Sequence, residues 1–201
     1  MGSGVTRSPG RAEKMSLMRQ PSIVCRMHNV RVDHIEDTRT KASQDPSAAS
    51  LSVNLDGLWH SDESHTQFTG KVAFAQGEAL FEADFPPFLG GEGRAPTPLA
   101  YCFYGAMCCY GATFATQAAI ASISLNDLRI NLQLEVDFRT ALGLGEFPPI
   151  SEFRFEVEVS TDASDEDVQR VKKLADERCP AIWAMGNRVP YSTNAKRLSS
   201  P

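Results

Sequence analysis

The feature that most restricts the fold is an uncharged stretch at residues 98–122. Thr97 and Pro98 predict the start of a helix, because threonine caps helix N-termini and proline suits the first helical position. The helix should run to about Ser122, with apolar or small residues on nearly every face. A helix of this kind is buried on most sides. We therefore expect the other elements to surround it.

The segments that flank this helix alternate between apolar and polar residues, which predicts half-buried strands. One-sided alternation is typical of an antiparallel sheet with one face in water. A second, amphipathic helix should begin after the cap Ser164 and end at Cys179-Pro180. Together these elements predict an α+β domain with helices packed on one face of a sheet. The predicted strands lie near residues 51–55, 68–74, 78–85, 128–138, 153–159 and 188–192.

Charge divides the chain into two parts. Residues 1–47 are predicted to be a basic N-terminal extension with one short strand near 23–32, and residues 48–201 to form the α+β domain. Residues 1–31 carry six basic side chains and one acidic one, a charge of +5. Since the whole chain has a net charge of −5, the remainder carries −10. Such a charge argues against nucleic acid as a partner of the domain.

Polar residues within the apolar helix argue against a membrane span, and the cysteine usage indicates a reducing compartment. Thr113, Thr116 and Gln117 interrupt the apolar stretch, so it predicts a core helix rather than a membrane span. The chain has five cysteines, an odd number, and Cys108 and Cys109 are adjacent. This usage fits a secreted disulfide framework poorly and predicts a cytoplasmic protein with reduced thiols.

Two cysteines are the candidate reactive groups. Cys109 lies about three turns into the predicted helix, beyond the reach of the helix dipole, and an apolar setting would raise the pKa of its thiol. Without a cation or hydrogen-bond donor from another segment, it is a small core residue. Cys179 ends the later helix, so only the fold could bring the two thiols together. A buried-helix thiol and a helix-end thiol are what a two-cysteine redox cycle needs.

The remaining cysteines and the histidines give weaker signals. Cys102 and Cys108 are predicted to be packing residues, and Cys25 lies in the extension. The histidines have no metal-ligand spacing with the cysteines, and His60 and His65 are predicted to be solvated in a polar loop. Phosphate-binding, nucleophile-elbow and dinucleotide-binding motifs are absent from the sequence. Neither a metal nor a cofactor is predicted.

The middle of the chain resembles the OsmC/Ohr superfamily of osmotically inducible and organic hydroperoxide resistance proteins. The resemblance depends on two sequence segments, Phe-Glu-Ala-Asp-Phe-Pro at 81–86 and Gly-Gly-Glu-Gly-Arg-Ala-Pro-Thr-Pro-Leu at 90–99. It also depends on the helix that follows them and leads to Cys108-Cys109. Cys179-Pro180 agrees with it, and the similarity covers about residues 48–195.

This resemblance implies a function for the two cysteines. Cys109 would be the peroxidatic cysteine, which attacks an organic hydroperoxide and becomes a sulfenic acid. Cys179 would be the resolving cysteine, which forms a disulfide that a dihydrolipoamide-like dithiol reduces. The family fold implies an intertwined homodimer in which the antiparallel sheet wraps around two central helices.

Two departures from the family pattern concern the activating charges. Hydroperoxide reductases carry a glutamate after the motif proline, where this chain has Leu99. They also carry an arginine in the loop after the first strand, and residues 57–67 contain none. Arg94, Arg31 and Arg39 are the candidate replacements.

These departures leave alternatives to the peroxidase open. One is a non-catalytic redox sensor or small-ligand-binding protein on the same scaffold, motivated by the missing glutamate and arginine. Another is different thiol chemistry, such as sulfur transfer that also uses Cys108. The separation of the Cys109 and Cys179 sulfurs, and the presence of a cation near Cys109, distinguish the peroxidase from the binding protein.

Overall fold

The computed structural model describes Met1 and residues 26–198, and its central element is the predicted helix. This helix, α2, spans Pro98–Ile120, and the Thr97 side chain accepts a hydrogen bond from the Ala100 amide at its N-terminus. The chain leaves the helix through Ser122, which has a left-handed φ of 57°. Both predicted ends are thus confirmed to within two residues.

A second predicted helix, α3 (Asp165–Arg178), packs against α2. Ser164 caps it by accepting from the Asp167 amide. Residues spaced three or four apart lie on one face of a helix, so the apolar stripe of α3 meets the facing stripe of α2. The buried members of the two stripes are Val171, Ala175 and Cys179 from the α3 side, and Tyr110, Phe114 and Ala118 from α2.

Two antiparallel strands also pack on this core. They are β6 (Asp127–Gln133) and β7 (Arg154–Ser160), paired with Leu128 opposite Val159. Leu128 and Ile130 of β6 and the apolar residues of β7 pack on the core, and the polar residues between them are exposed. The sequence alternation predicted this arrangement, but the strand predicted at 128–138 is shorter than expected: β6 ends at Gln133, and beyond it only Val136 forms an isolated bridge, with Ile150.

A three-stranded antiparallel sheet lies near the N-terminal end of α2. Its strands are β3 (Asp56–Trp59), β4 (Phe68–Phe74) and β5 (Gly77–Ala83), in that order. The predicted strand at residues 51–55 is wrong, because those residues pair with no described strand and their apolar side chains are exposed. The sheet meets α2 through Tyr101, whose hydroxyl donates to the Glu82 carbonyl over 2.8 Å.

A glycine-rich turn joins this sheet to α2. Gly90 has a φ of 83°, in the left-handed region that favours glycine. At Gly91 a Cβ would lie 2.0 Å from the Phe85 carbonyl oxygen, so only glycine allows the backbones to approach this closely. The Gly-Gly pair of the sequence motif is therefore needed for chain packing.

The described part of the N-terminal extension is more ordered in secondary structure than the sequence predicts. Strands β1 (Arg26–Met27) and β2 (Val30–Arg31) form a small hairpin, and helix α1 (Val32–Ala42) follows it. Ion pairs at helical spacing support this polar helix, which has no apolar periodicity to predict it. His28 Nε2 donates to the Ile123 carbonyl over 2.7 Å, tying the hairpin to the end of α2. Cys25 and the first part of the predicted strand at 23–32 lie outside the described residues.

The C-terminal region differs from the prediction in two ways. Cys179-Pro180 ends α3 as expected, but Pro180 also begins a further helix, α4 (Pro180–Gly186). The predicted strand at 188–192 is wrong, because this segment is irregular and pairs with no described strand. Pro190 interrupts it and Tyr191 is exposed, so it has neither a full set of backbone donors nor a surface to pack on.

The architecture is the predicted α+β class, with every strand pair antiparallel. The described strands form three separate small sheets instead of one continuous sheet. Burial of α2 is also less complete than predicted: its second half lies in the core, whereas Cys102, Tyr104 and Cys108 in its first half are exposed. None of the described helices is long and apolar enough to cross a membrane.

Candidate active site

The fold brings the two candidate cysteines together. Cys109 lies near the middle of α2, and Cys179 lies at the junction between α3 and α4. Their sulfur atoms are 3.6 Å apart, with the Cys179 thiol placed to donate to Cys109 Sγ. A disulfide bond is about 2.05 Å long, so the two sulfurs would need to move about 1.5 Å closer to form one. The pair is 70 positions apart in the sequence and in contact in the fold.

Two hydrogen bonds between α2 and α3 hold this approach in place. The Tyr110 hydroxyl, next to Cys109, donates to Asp176 Oδ1 over 2.7 Å. Arg178, next to Cys179, donates to the Oε1 of the buried Gln117 over 2.7 Å. Each bond lies one residue from a reactive sulfur, so together they fix the register of the two helices.

Solvent exposure distinguishes the two thiols. Cys179 is 0% exposed and belongs to the core, whereas Cys109 is only partly buried at its edge. A molecule that arrives from solvent therefore reaches Cys109 before Cys179.

Local effects of opposite sign act on the Cys109 thiol, and their net result is a raised pKa. Burial raises its pKa, because desolvation penalises the thiolate. The backbone N–H of Ala181, in the first turn of α4, donates to the sulfur and lowers the pKa. The sequence correctly excludes the N-terminus of α2 as a source of activation but misses that of α4. Pro180 was the available signal, since proline is frequent at the first helical position as well as after a helix end.

The candidate replacements for the family arginine have other partners. Arg31 pairs with Asp33, and Arg39 pairs with Glu36. Arg94 donates to the Glu63 and His65 carbonyls. Of the charged side chains in the described part of the chain, none is among the groups that shift the Cys109 pKa.

The other described cysteines lie apart from the pair. Cys102 and Cys108 are exposed, which contradicts their prediction as packing residues. The reason is that the helical core packs on the second half of α2, which leaves much of the first half uncovered within one chain. Cys108 interacts with Tyr104 and raises the pKa of that phenol.

Known proteins match this chain in sequence profile and in fold. A family model described as OsmC-like protein matches residues 91–194. An OsmC like protein from Mycoplasma pneumoniae superposes with a TM-score of 0.53 at 18% identity, covering 68% of this chain and 89% of that one. An organic hydroperoxide resistance protein OsmC from Legionella pneumophila gives a TM-score of 0.45 at 20% identity, covering 68% and 91%. No curated protein sequence matches.

Proposed function

Because the chain belongs to the OsmC-like protein family, we propose that it is a thiol-dependent peroxidase that reduces organic hydroperoxides. Cys109 is the peroxidatic cysteine and Cys179 the resolving cysteine. The observation that carries the proposal is the 3.6 Å approach of one partly exposed and one fully buried sulfur. Packing alone does not require two thiols at this point, whereas a disulfide cycle does.

The reaction sequence balances with these two thiols and one external dithiol. The Cys109 thiolate attacks the terminal oxygen of ROOH, the O–O bond breaks, and the alkoxide takes a proton and leaves as ROH. The Cys179 sulfur then attacks the sulfenic acid, forming the S–S bond and releasing water. A dihydrolipoamide-like dithiol exchanges with the disulfide, supplying two electrons and two protons. A cytoplasmic location would keep that dithiol reduced.

Hydrogen bonding supports this order of events. The Ala181 N–H stabilises negative charge on Cys109 Sγ before the attack. The Tyr110–Asp176 and Arg178–Gln117 bonds keep Cys179 adjacent when Cys109 becomes a sulfenic acid. The resolving step therefore needs only side-chain rotation.

A homodimer is part of the proposal. The family resemblance implies one, and the single chain leaves apolar surface that needs a cover. Strands β3–β5 expose aromatic side chains on one face, and the neighbouring half of α2 exposes Cys102, Tyr104 and Cys108. An open apolar groove of about 680 Å³ runs between these two surfaces. A second copy seated there would surround α2 on most sides, as its composition predicts.

Turnover of cumene hydroperoxide with dihydrolipoamide tests the proposal. Wild type should turn over, and Cys109→Ser should not. Cys179→Ser should consume one equivalent and then stop, with a sulfenic acid that dimedone traps at Cys109. Cys108→Ser is the matched control, because it removes an adjacent, exposed thiol and should leave turnover unchanged. A wild type no faster than Cys109→Ser would refute the peroxidase.

A redox sensor is the second candidate, favoured by the lack of a charged group acting on Cys109 among the described residues. A sensor would form the Cys109–Cys179 disulfide once with peroxide and not cycle with a dithiol. Stoichiometric oxidation without turnover would therefore select the sensor. Loss of turnover in Cys108→Ser would instead show that Cys108 takes part in the chemistry.

A further inference from the structure

A cluster of metal-binding side chain types lies on the loop between β3 and β4. His60, Asp62 and His65 place one potential donor atom each within 4.8 Å of the others. The sequence predicts both histidines to be solvated, yet the two rings stack with centroids 4.8 Å apart. We define these three residues as the His60 cluster.

We propose that the His60 cluster binds a divalent transition-metal ion such as Zn²⁺. Two imidazole nitrogens and one carboxylate suit zinc and its neighbours, whereas magnesium and calcium take oxygen ligands. Three protein ligands would leave an outward coordination position for water or a small ligand. None of its ligands is a cysteine, so its chemistry differs from that of the thiol pair.

The hydrogen bonds of the two rings fit ligand roles. His60 Nε2 bonds to Thr69 Oγ1 over 2.9 Å, and His65 Nδ1 bonds to Asp62 Oδ1 over 2.7 Å. A metal-binding histidine typically bonds one ring nitrogen to a polar neighbour, as His60 does with Thr69, which fixes the ring and leaves the other nitrogen, His60 Nδ1, for the metal. His65 Nδ1 and Asp62 Oδ1 already face each other, so an ion would take the place of the hydrogen that they share.

A buried anchor holds the loop. Asp84 is almost fully buried, and its Oδ2 accepts from the Glu92 and Arg94 amides over 3.3 and 2.9 Å. The Arg94 side chain in turn donates to the Glu63 and His65 carbonyls, so the loop cannot swing freely.

The cavity beside the cluster provides a second, independent pointer to a cation. Asp84 lines it, and Asp84 Oδ1 is buried without a hydrogen-bond partner in the described structure. Glu63 and Glu92 line the same cavity, so with Asp62 it carries four carboxylates against the single guanidinium of Arg94. The excess negative charge favours a bound cation.

Binding requires one movement. The rings lie within 17° of parallel, so their in-plane lone pairs do not converge. A tetrahedral ion with bonds of about 2.1 Å separates its ligand atoms by about 3.4 Å, which the 4.8 Å spread exceeds. The His65 side chain is 56% exposed and can rotate to close the gap. Metal binding should therefore reorient His65 more than His60.

Titration of tag-free, reduced full-length protein with Zn²⁺ tests the site. Wild type should bind one equivalent saturably, and the affinity should fall at least ~10-fold in each of His60→Gln, Asp62→Asn and His65→Gln. His34→Gln is the matched control, since His34 is exposed on α1 outside the cluster, and it should bind as wild type does.

Two further measurements keep the test decisive. Histidine NMR signals should shift for His60 and His65 on adding Zn²⁺, which shows the ligands without relying on a variant's folding. With Co²⁺, a ligand set of nitrogen and oxygen gives no sulfur-to-metal charge-transfer band. No saturable binding, equal binding by all the variants, or a sulfur band that alkylation removes would each overturn the proposal.

Discussion

Two ends of α2 lie in opposite environments. Its second half packs into the helical core, which we define as α2, α3, β6 and β7, and there Phe114 is 1% exposed. Its first half adjoins the three-stranded sheet β3–β5, where Phe74 is 58% exposed. The helical core buries its apolar residues within one chain, whereas the sheet does not. A single chain therefore completes the core around the second half of α2 and leaves the apolar side chains of the sheet uncovered.

The two faces of the three-stranded sheet differ in polarity. Residues opposite one another in an antiparallel pair share a face, so the register places Trp59 and Phe68 on one face with Val72, Phe74 and Phe81. The opposite face carries the Lys71–Glu78 ion pair and Leu80. The sheet is therefore amphipathic, and its apolar face is the one that a second chain should cover.

Removal of Phe114 should have the largest effect. Phe114→Ala creates a cavity in the helical core, so the free energy of unfolding should fall by about 3–5 kcal/mol. Urea denaturation followed by circular dichroism measures it. A loss below about 1 kcal/mol would show that the helical core is less tightly packed than the structure indicates.

Substitution on the sheet should affect assembly. Phe74→Ser should weaken the proposed dimer by about 1.5–3 kcal/mol, because it removes apolar surface that the second copy would bury. Leu80→Ser is the matched control: Leu80 is 63% exposed and lies on the opposite face. Sedimentation equilibrium should show a shift for the first variant and none for the second. Equal effects would mean that the apolar face is not the dimer surface.

The thiol at the edge of the helical core should respond steeply to pH. Because burial raises the Cys109 pKa, its thiolate fraction should increase about tenfold per pH unit past the ordinary thiol value of about 8.5. Iodoacetamide labelling should follow this profile, with Cys108 as internal reference, and fragment-ion mass spectrometry assigns the label because the two adjacent cysteines share one peptide. A plateau below pH 8 would show that assembly supplies an activating group.

The smallest effect should come from the hydrogen bond beside the reactive pair. Tyr110→Phe removes the bond to Asp176 and should cost about 1 kcal/mol, since Asp176 remains partly exposed and paired with Lys172. Thermal denaturation measures the stability. If the bond also positions Cys179, the rate of Cys109–Cys179 disulfide formation should fall more than stability alone explains, and an unchanged rate would refute that role.

The sequence predicted those elements whose local signals agree with their packing. Thr97-Pro98 and Ser164 mark helix starts by capping chemistry, and the alternation that begins at Leu128 matches a sheet with one wet face as far as Gln133. The strands predicted at 51–55 and 188–192 are wrong. An alternating pattern indicates which residues would share a face, but it does not show whether a neighbouring strand is present for pairing. Helix α1 was missed because ion pairs, not an apolar stripe, support it.

The candidate site was partly predictable. The pairing of Cys109 with Cys179 came from the family resemblance, and the fold places the two sulfurs in contact. The Ala181 donor could not be predicted, because it depends on a second helix that begins where the first one ends. The stacking of His60 on His65 depends likewise on the shape of an irregular loop.

The junction at Cys179 has a consequence for the unfolded chain. A bond from there to Cys109 would close a loop of about 70 residues, and the chain-entropy model assigns such a crosslink about 4 kcal/mol of stabilisation. That amount is a large share of the total stability of a domain this size. The oxidised protein should therefore melt well above the reduced one, so that melting temperature reports the redox state of the pair and the reduced protein is the form that proteases cleave more readily.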